Sequence, residues 1–421
     1  MNVEYRSLAR SFHADRTNDS FSNHARLARQ RLEADSTFRT GVVTPLGELF
    51  TATPRETSML TEKILLAERR VSRLWNQIPG VMRWDYIRHS ISEELFATNE
   101  MEGVRSTRKE TQDAVDAADK ARKDGDDTKA RFSEFAKLYL NLTDKDSAPP
   151  SGIADIRDIY DKVVLNEINE NDKPDGELFR KGDVEIQGPH GFAIHNGVKG
   201  EGIIGALLTD MIHLATSDEI PRLQSAIMAH FLFEYVHPFY DGNGRTGRYL
   251  LALHLNHDLT MPTVLSLSRT IAENKNAYYK AFMEAEDRLN CGELTFFVNT
   301  ILGFIRKAQD ELIDELGVRV DQLDKGWATC EQLERKHDLS AKAVSILYGM
   351  IQEEMFDSSK SMTLDDAARH IRLSKQSARK YVGELMDAGL VIQSGKRPLK
   401  IRASESLKRL LETGTVDATA V

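Results

Sequence analysis

After Pro221 the chain carries an apolar helix pattern, with Ile227, Phe231, Leu232 and Tyr235 on its faces. It runs directly into His237-Pro238-Phe239-Tyr240-Asp241-Gly242-Asn243-Gly244-Arg245-Thr246-Gly247-Arg248. A helix that is apolar nearly all round belongs at the centre of a core. A second helix pattern follows from Tyr249 to Leu255, so the polar, glycine-rich stretch reads as a loop feeding a helix N-terminus.

Apolar residues elsewhere also recur mostly at three- and four-residue spacing, which predicts a largely helical chain. A helix pattern starts at Pro54, with Ile64, Leu65, Val71, Leu74 and Trp75 on its apolar face, and is punctuated by Pro79 and Gly80. Another follows Asp85 through Ile87, Ile91, Leu95 and Phe96 towards Glu102-Gly103. The charge-dense stretch 105–130 reads as a solvated helix ending in a loop at Gly125. Val184, Glu185 and Ile186 alternate between turn residues Gly182, Gly188, Pro189 and Gly191, which predicts a short hairpin. Near the C-terminus, Leu364–His370 and Lys375–Ala388 read as two helices joined by a turn and stopped by Gly389. Val391–Ile401, interrupted at Ser394-Gly395, reads as a two-stranded wing, and the tail after Ala403 as frayed. Residues 1–40 give no firm pattern.

Composition narrows the function classes. The 421 residues are 29% charged and sum to −9, as in a soluble globular chain long enough for two or three domains. No apolar run approaches the ~20 residues that span a bilayer, and residues 1–18 lack an apolar secretory core. Cys291 and Cys330 alone cannot build a disulfide framework or a four-ligand zinc site. A cytoplasmic setting without membrane partners is the simplest expectation. Net acidity argues against a dedicated nucleic-acid binder, although a whole-chain sum can hide a basic domain.

The loop at 237–248 concentrates chemistry. Gly242 and Gly244 let backbone N–H groups converge on an anion, and the following helix adds its positive end. Asn243 can bond phosphate or fix the loop. Arg245 and Arg248, three apart, share one helix surface and suit phosphate recognition. Asp241 beside an anion nest suggests an intervening Mg²⁺, and His237 can accept a proton near neutral pH. Taken singly, a His-Pro pair, a Gly-Asn-Gly turn and two arginines are more often structural. Together they describe a nucleotidyl- or phosphoryl-transfer site.

His237 to Arg248 resembles the Fic motif, HPFx(D/E)GNGRxxR, at every specified position. The resemblance implies an all-α Fic core with a small β-hairpin flap, and transfer of AMP from ATP, with Mg²⁺, to Ser, Thr or Tyr hydroxyls of target proteins and of the chain itself. His237 would deprotonate the hydroxyl and Asp241 would hold the metal. Gly242, Asn243, Gly244, Arg245, Thr246, Gly247 and Arg248 would bind the nucleotide, Arg248 at the γ-phosphate; Phe239 would anchor the loop in the core. Gly244 favours AMP transfer over the chemistry of a kinase-like relative that carries Lys there.

Upstream, Thr98 to Gly103 is similar to the family's inhibitory motif, (S/T)xxxE(G/N), which implies that Glu102 pairs with Arg248 in the γ-phosphate position. Taken alone the pattern is a helix end with a glycine cap. Val184, Glu185, Ile186 and Gln187 fall where the family has its target-docking flap, with His190–Lys199 differing from some relatives. Tyr278 and Tyr279 resemble residues bordering adenine; Glu286 stands where some relatives have Asn.

The expected organisation is an N-terminal region (1–84, helical from about 54), a Fic core with its inhibitory helix (85–317), a linker helix with a winged helix-turn-helix (318–403) and a tail (404–421). Lys360–Arg402 holds ten Lys/Arg against four Asp/Glu, and Lys375, Arg379, Lys380, Lys396 and Arg397 would line a DNA-binding face. Protein contact or dimerisation is an equal reading of that domain, and a homodimer is a further expectation. The rival functions are removal of AMP by the same site, with Glu102 positioning water, and a DNA-binding regulator whose core senses nucleotide.

Overall fold

The computed structural model of the chain describes residues 4–125, 130–144, 147–165, 167–187, 193–356, 361–396 and 399–413. Helices dominate them, with two two-stranded sheets and one three-stranded sheet. The chain divides into two compact units: Met1–Ser72 with Tyr86–Ile313, and Arg73–Asp85 with Asp314–Val421.

In the first unit, helix Arg222–Val236 is buried at every residue from Leu223 to Val236 except Glu234. It packs on helices Glu201–Ala215 and Asn243–Leu255. Phe231, Leu232 and Phe233 are fully buried, each contributing roughly 1.5–3 kcal/mol by leaving water. Gly80–Met101 forms one helix, beginning five residues before the Asp85 start expected from the pattern. Helix Arg108–Asp124 opens on a capping box between Thr107 and Glu110 and stops at Gly125, whose φ of +71° suits glycine.

Residues 1–72 cluster with the core and do not stand apart from it. Helices Leu8–Ala14 and Ser20–Leu32 precede an antiparallel hairpin, Thr37–Thr44 with Gly47–Ala52, that the pattern did not reveal. Its inner strand is clasped by the segment near residue 292: Phe50 N–H donates to Gly292 O at 3.1 Å and Leu294 N–H to Phe50 O at 2.8 Å. Tyr5 Oη and Arg31 both donate to the Glu293 carboxylate at 2.7 Å.

The expected hairpin at 184 is present in the backbone. Strand Glu185–Gln187 pairs antiparallel with Ala193–Asn196, Glu185 opposite Asn196 and Ile186 opposite His195. Gly188, Pro189, His190 and Gly191 lie outside the described residues.

In the second unit, helices Ala341–Phe356, Leu364–Ile371 and Lys375–Asp387 and strands Met362–Thr363, Val391–Lys396 and Leu399–Ala403 enclose a core that includes Cys330, Ile346, Leu347, Ile351, Ala378 and Leu385. The third strand lies between the other two. Thr363 and Ser374 cap the paired helices, and Arg372 makes the left-handed turn between them. Residues after Ala403 are not frayed at once: Glu405–Thr413 is a helix, because Leu407 is buried and Leu410 and Leu411 pack beside it. Lys360, Arg397 and residues 414–421 lie outside the described residues. Among the described residues no helix is long and apolar enough to cross a membrane.

Candidate active site

The apolar helix ends at His237, whose left-handed backbone (φ +51°) closes it through a bond from its N–H to Phe233 O at 3.0 Å. Phe239 then anchors the loop: it is fully buried and stacks on Tyr160 with ring centroids 3.6 Å apart. Asn243 fixes the turn. Its Oδ1 accepts from Phe239 N–H at 2.9 Å and its Nδ2 donates to Phe239 O at 2.8 Å. Of the two roles open to Asn243, its side chain therefore performs the structural one.

Gly242 caps helix Asn243–Leu255 in a left-handed conformation, φ +80°, and no side chain caps the helix start. A Cβ there would stand 2.5 Å from Val164 Cγ1. The first-turn N–H groups and the positive helix end thus lack a side-chain cap, as an anion nest requires. Asp241 is exposed at its edge, with Oδ1 accepting from Gly242 N–H at 2.6 Å.

Arg245 is fully buried, yet none of its three guanidinium nitrogens has a hydrogen-bond partner. Burial lowers its pKa, and the carboxylates of Asp241, Glu102 and Glu167 offset this only in part. A desolvated cation without hydrogen bonds is costly, and it is the environment an oligophosphate would complete. Arg248 is also buried but has hydrogen-bond partners. Its Nε donates to Thr98 Oγ1 at 2.8 Å, and one terminal nitrogen donates to Thr98 O at 3.2 Å and to Glu102 Oε1 at 2.7 Å. Burial opposes the Arg248 charge, but Glu102 more than offsets it and holds its pKa above the ordinary range. Burial likewise pushes Glu102 up, and Arg248 overcomes this, holding the carboxyl below its usual value.

Thr246 and Gly247 serve the helix. Thr246 Oγ1 donates to Gly242 O at 2.9 Å. Gly247 admits the Glu234 carboxyl, which a Cβ would overlap. Tyr278 is buried, and its hydroxyl donates to His230 Nε2 at 2.8 Å while His230 Nδ1 donates to Gly247 O at 3.1 Å. Burial and the Arg248 charge push the His230 pKa down to about 3, so the ring is neutral. Tyr279 is the partly exposed member of the pair, with Lys275 Nζ 5.7 Å from its ring centroid.

Besides His230, three contributors escaped the sequence reading. Glu234, against Gly247, has its pKa raised by burial to about 8. Arg180 is fully buried and reaches His237 O at 2.8 Å. Tyr240 Oη accepts from Gly182 N–H at 2.8 Å and donates to Asp175 at 2.9 Å. Only Glu234, three residues before His237 in the apolar run Phe231–Val236, carried a signal in the sequence.

The donor set suits Mg²⁺ as bound with nucleotides, by one carboxylate and substrate phosphates. Asp241 would supply the carboxylate, and among the described residues there is no group of three or more His, Cys, Asp or Glu that could hold a metal ion.

Three solved structures are similar to this chain. A Fic family protein from Desulfovibrio desulfuricans G20 is 17% identical, covers 82% of this chain and 96% of its own, and has a TM-score of 0.47. Fic-1 (residues 134–508) from C. elegans is 18% identical over 73% of this chain and 79% of its own, TM-score 0.44. A Fic domain containing signaling protein from Bacteroides thetaiotaomicron VPI-5482 is 16% identical over 60% and 97%, TM-score 0.38. A family model described as Fic/DOC family matches residues 151–255. That span, which matches the Fic/DOC family model, holds the histidine, the glycine nest and both arginines.

Proposed function

We propose that the chain is an autoinhibited protein adenylyltransferase that moves AMP from ATP to a Ser, Thr or Tyr hydroxyl of a target protein or of itself. The observation that carries this reading is the pair of buried arginines, Arg245 without a partner and Arg248 occupied by Glu102. Arg245 and the nest at Gly242–Gly244 bind the phosphates. His237 takes the proton of the target hydroxyl as its oxygen attacks the α-phosphorus. The bond from that phosphorus to the bridging oxygen breaks, and pyrophosphate leaves. Asp241 would hold Mg²⁺, which neutralises charge on the leaving phosphates. The strand Glu185–Gln187 offers main-chain pairing to the target segment. Glu102 on Arg248 blocks the outermost phosphate and keeps the enzyme idle.

Incubating the wild type and Glu102→Gly with α-labelled ATP tests this. The variant is expected to label itself strongly and the wild type weakly; an unlabelled variant would sink the reading.

A second reading rests on Glu102 itself. Its ionised carboxylate beside His237 also suits orienting water for removal of AMP from a modified protein. Release of AMP that disappears in Glu102→Gly would favour that activity.

The C-terminal unit fits a winged helix that binds DNA. Arg372, Lys375, Gln376, Arg379 and Lys380 are exposed around the start of helix Lys375–Asp387, with Lys400 and Arg402 exposed on the last strand. Gly383 lies on the same helix face one turn beyond Arg379, and a Cβ there would meet nothing within 4 Å. Duplex DNA binding that weakens with salt and with Arg379→Ala tests it; a homodimer without DNA affinity would favour the protein-contact alternative.

A further inference from the structure

Arg180 and Arg245 are the two arginines of the first unit with no solvent exposure, and unlike Arg245, Arg180 is fully engaged in hydrogen bonds, none of them to a carboxylate among the described residues. Its guanidinium instead donates to four backbone carbonyls: His237 at 2.8 Å, Val236 at 3.2 Å, Gly182 at 2.7 Å and Val198 at 2.8 Å. The first two end the helix that delivers His237; the other two are the stems of the hairpin Glu185–Asn196. Main-chain bonds reinforce the junction, from Arg180 N–H to Pro238 O and from Val198 N–H to Val236 O, both at 3.1 Å. Gly197 completes it. A Cβ there would overlap an Arg180 terminal nitrogen, approach Val184 Cγ1 to 2.7 Å and stand 3.2 Å from His237 Cβ.

A planar fork of five N–H donors can satisfy several carbonyls at once, whereas an ammonium is a point donor. A cation at the carbonyl end of a helix is also favoured by the helix dipole. The guanidinium thus fixes two things that must agree in space: the left-handed backbone that aims His237, and the strand edge on which a target would lie.

We propose that Arg180 is a positioning residue for adenylyl transfer, holding His237 in register with the hairpin; this rests on His237 acting as the base. It touches neither nucleotide phosphates nor the reacting atoms. Its loss should lower the rate of the bound complex and leave ATP binding alone, since Arg245, Arg248 and the glycine nest do not contact it.

The test uses full-length protein carrying Glu102→Gly. Arg180→Lys is expected to lower self-labelling at saturating ATP about 30- to 100-fold, the order produced by a misplaced catalytic group, with KM for ATP changed less than twofold. Gly197→Ala, which crowds the same junction without removing a donor, should show the same split. Labelling at the parent rate in both variants overturns the proposal, as does a KM that rises as far as the rate falls. Histidine-selective NMR gives a readout independent of activity. The His237 ring resonance should move in Arg180→Lys while those of buried His230 and His254 stay. If the Glu102→Gly parent labels nothing, adenylyl transfer fails as the function, and an unmoved His237 resonance separately overturns the role of Arg180. If Arg180→Lys shifts every histidine, Gly197→Ala decides by the same criterion.

Discussion

The Glu102 carboxylate reaches Arg248 at 2.7 Å by passing over Gly244, at the place where any other residue would put its Cβ. That Cβ would stand 2.7 Å from Glu102 Cδ and 3.0 Å from an Arg248 nitrogen. The glycine therefore leaves room for the ion pair as well as for a phosphate.

Removing Glu102 should free Arg248. A hundredfold rise in self-labelling for Glu102→Gly corresponds to an inhibitory interaction of about 2.7 kcal/mol. Adding His237→Ala to that variant is expected to reduce labelling by roughly 10²- to 10⁴-fold, the usual worth of a general base. Timed incorporation from α-labelled ATP measures both.

Gly244→Ala should push the Glu102 side chain aside. In differential hydrogen–deuterium exchange, the end of helix Gly80–Met101 is expected to open faster than in the wild type. Unchanged exchange there would mean that Glu102 finds room by another rotamer.

Arg245→Met should stabilise the nucleotide-free protein. It replaces a buried charge that lacks hydrogen bonds with an apolar chain, a gain of about 1–3 kcal/mol that calorimetry would register as a midpoint higher by a few degrees. Under the proposed function the same variant should also lose ATP affinity, because the guanidinium would no longer be there to meet phosphate.

Glu234 makes stability depend on pH. Burial raises its pKa to about 8, so the folded state keeps a proton that the unfolded chain loses above about 4.3. The unfolded state then binds fewer protons, and stability falls as pH rises between those values, at up to about 1.4 kcal/mol per pH unit. Glu234→Gln should flatten that slope between pH 5 and 8 in thermal melts.

Gly383→Ala should gain about 1 kcal/mol of helix stability, because its Cβ would enter open space. If DNA lies against that face, the same methyl should weaken DNA binding severalfold. Fluorescence anisotropy with a labelled duplex measures it.

The sequence made some of this legible and not the rest, for identifiable reasons. The loop from His237 to Arg248 declares itself because glycines, a carboxylate and two arginines follow a helix too apolar for the surface. Thr98 and Glu102 are legible only through their resemblance to the inhibitory motif beside that loop, since the spacing alone is that of an ordinary helix end with a glycine cap. The role of Asn243 was ambiguous, since an amide suits phosphate as well as a turn, and only its pairing with Phe239 decides. Arg180 was invisible because its partners are backbone carbonyls, which carry no residue signature. The hairpin Thr37–Ala52 went unread because the bonds that tie down its inner strand at Phe50 come from Gly292 and Leu294, far away in sequence.

That last arrangement has a consequence for biosynthesis. The clasp joins residues 288, 281, 262 and 243 positions apart, in the bonds of Tyr5, Ala9, Arg31 and Ala52. A ribosome adding about 5–20 residues per second needs roughly 12–60 s to deliver these partners. During that interval the nascent hairpin has an unclasped inner strand, with the N–H and C=O of Phe50 lacking their partners at Gly292 and Leu294. Residues 5–52 are therefore made well before the segment that completes their fold, and a chaperone would have that whole interval in which to bind them.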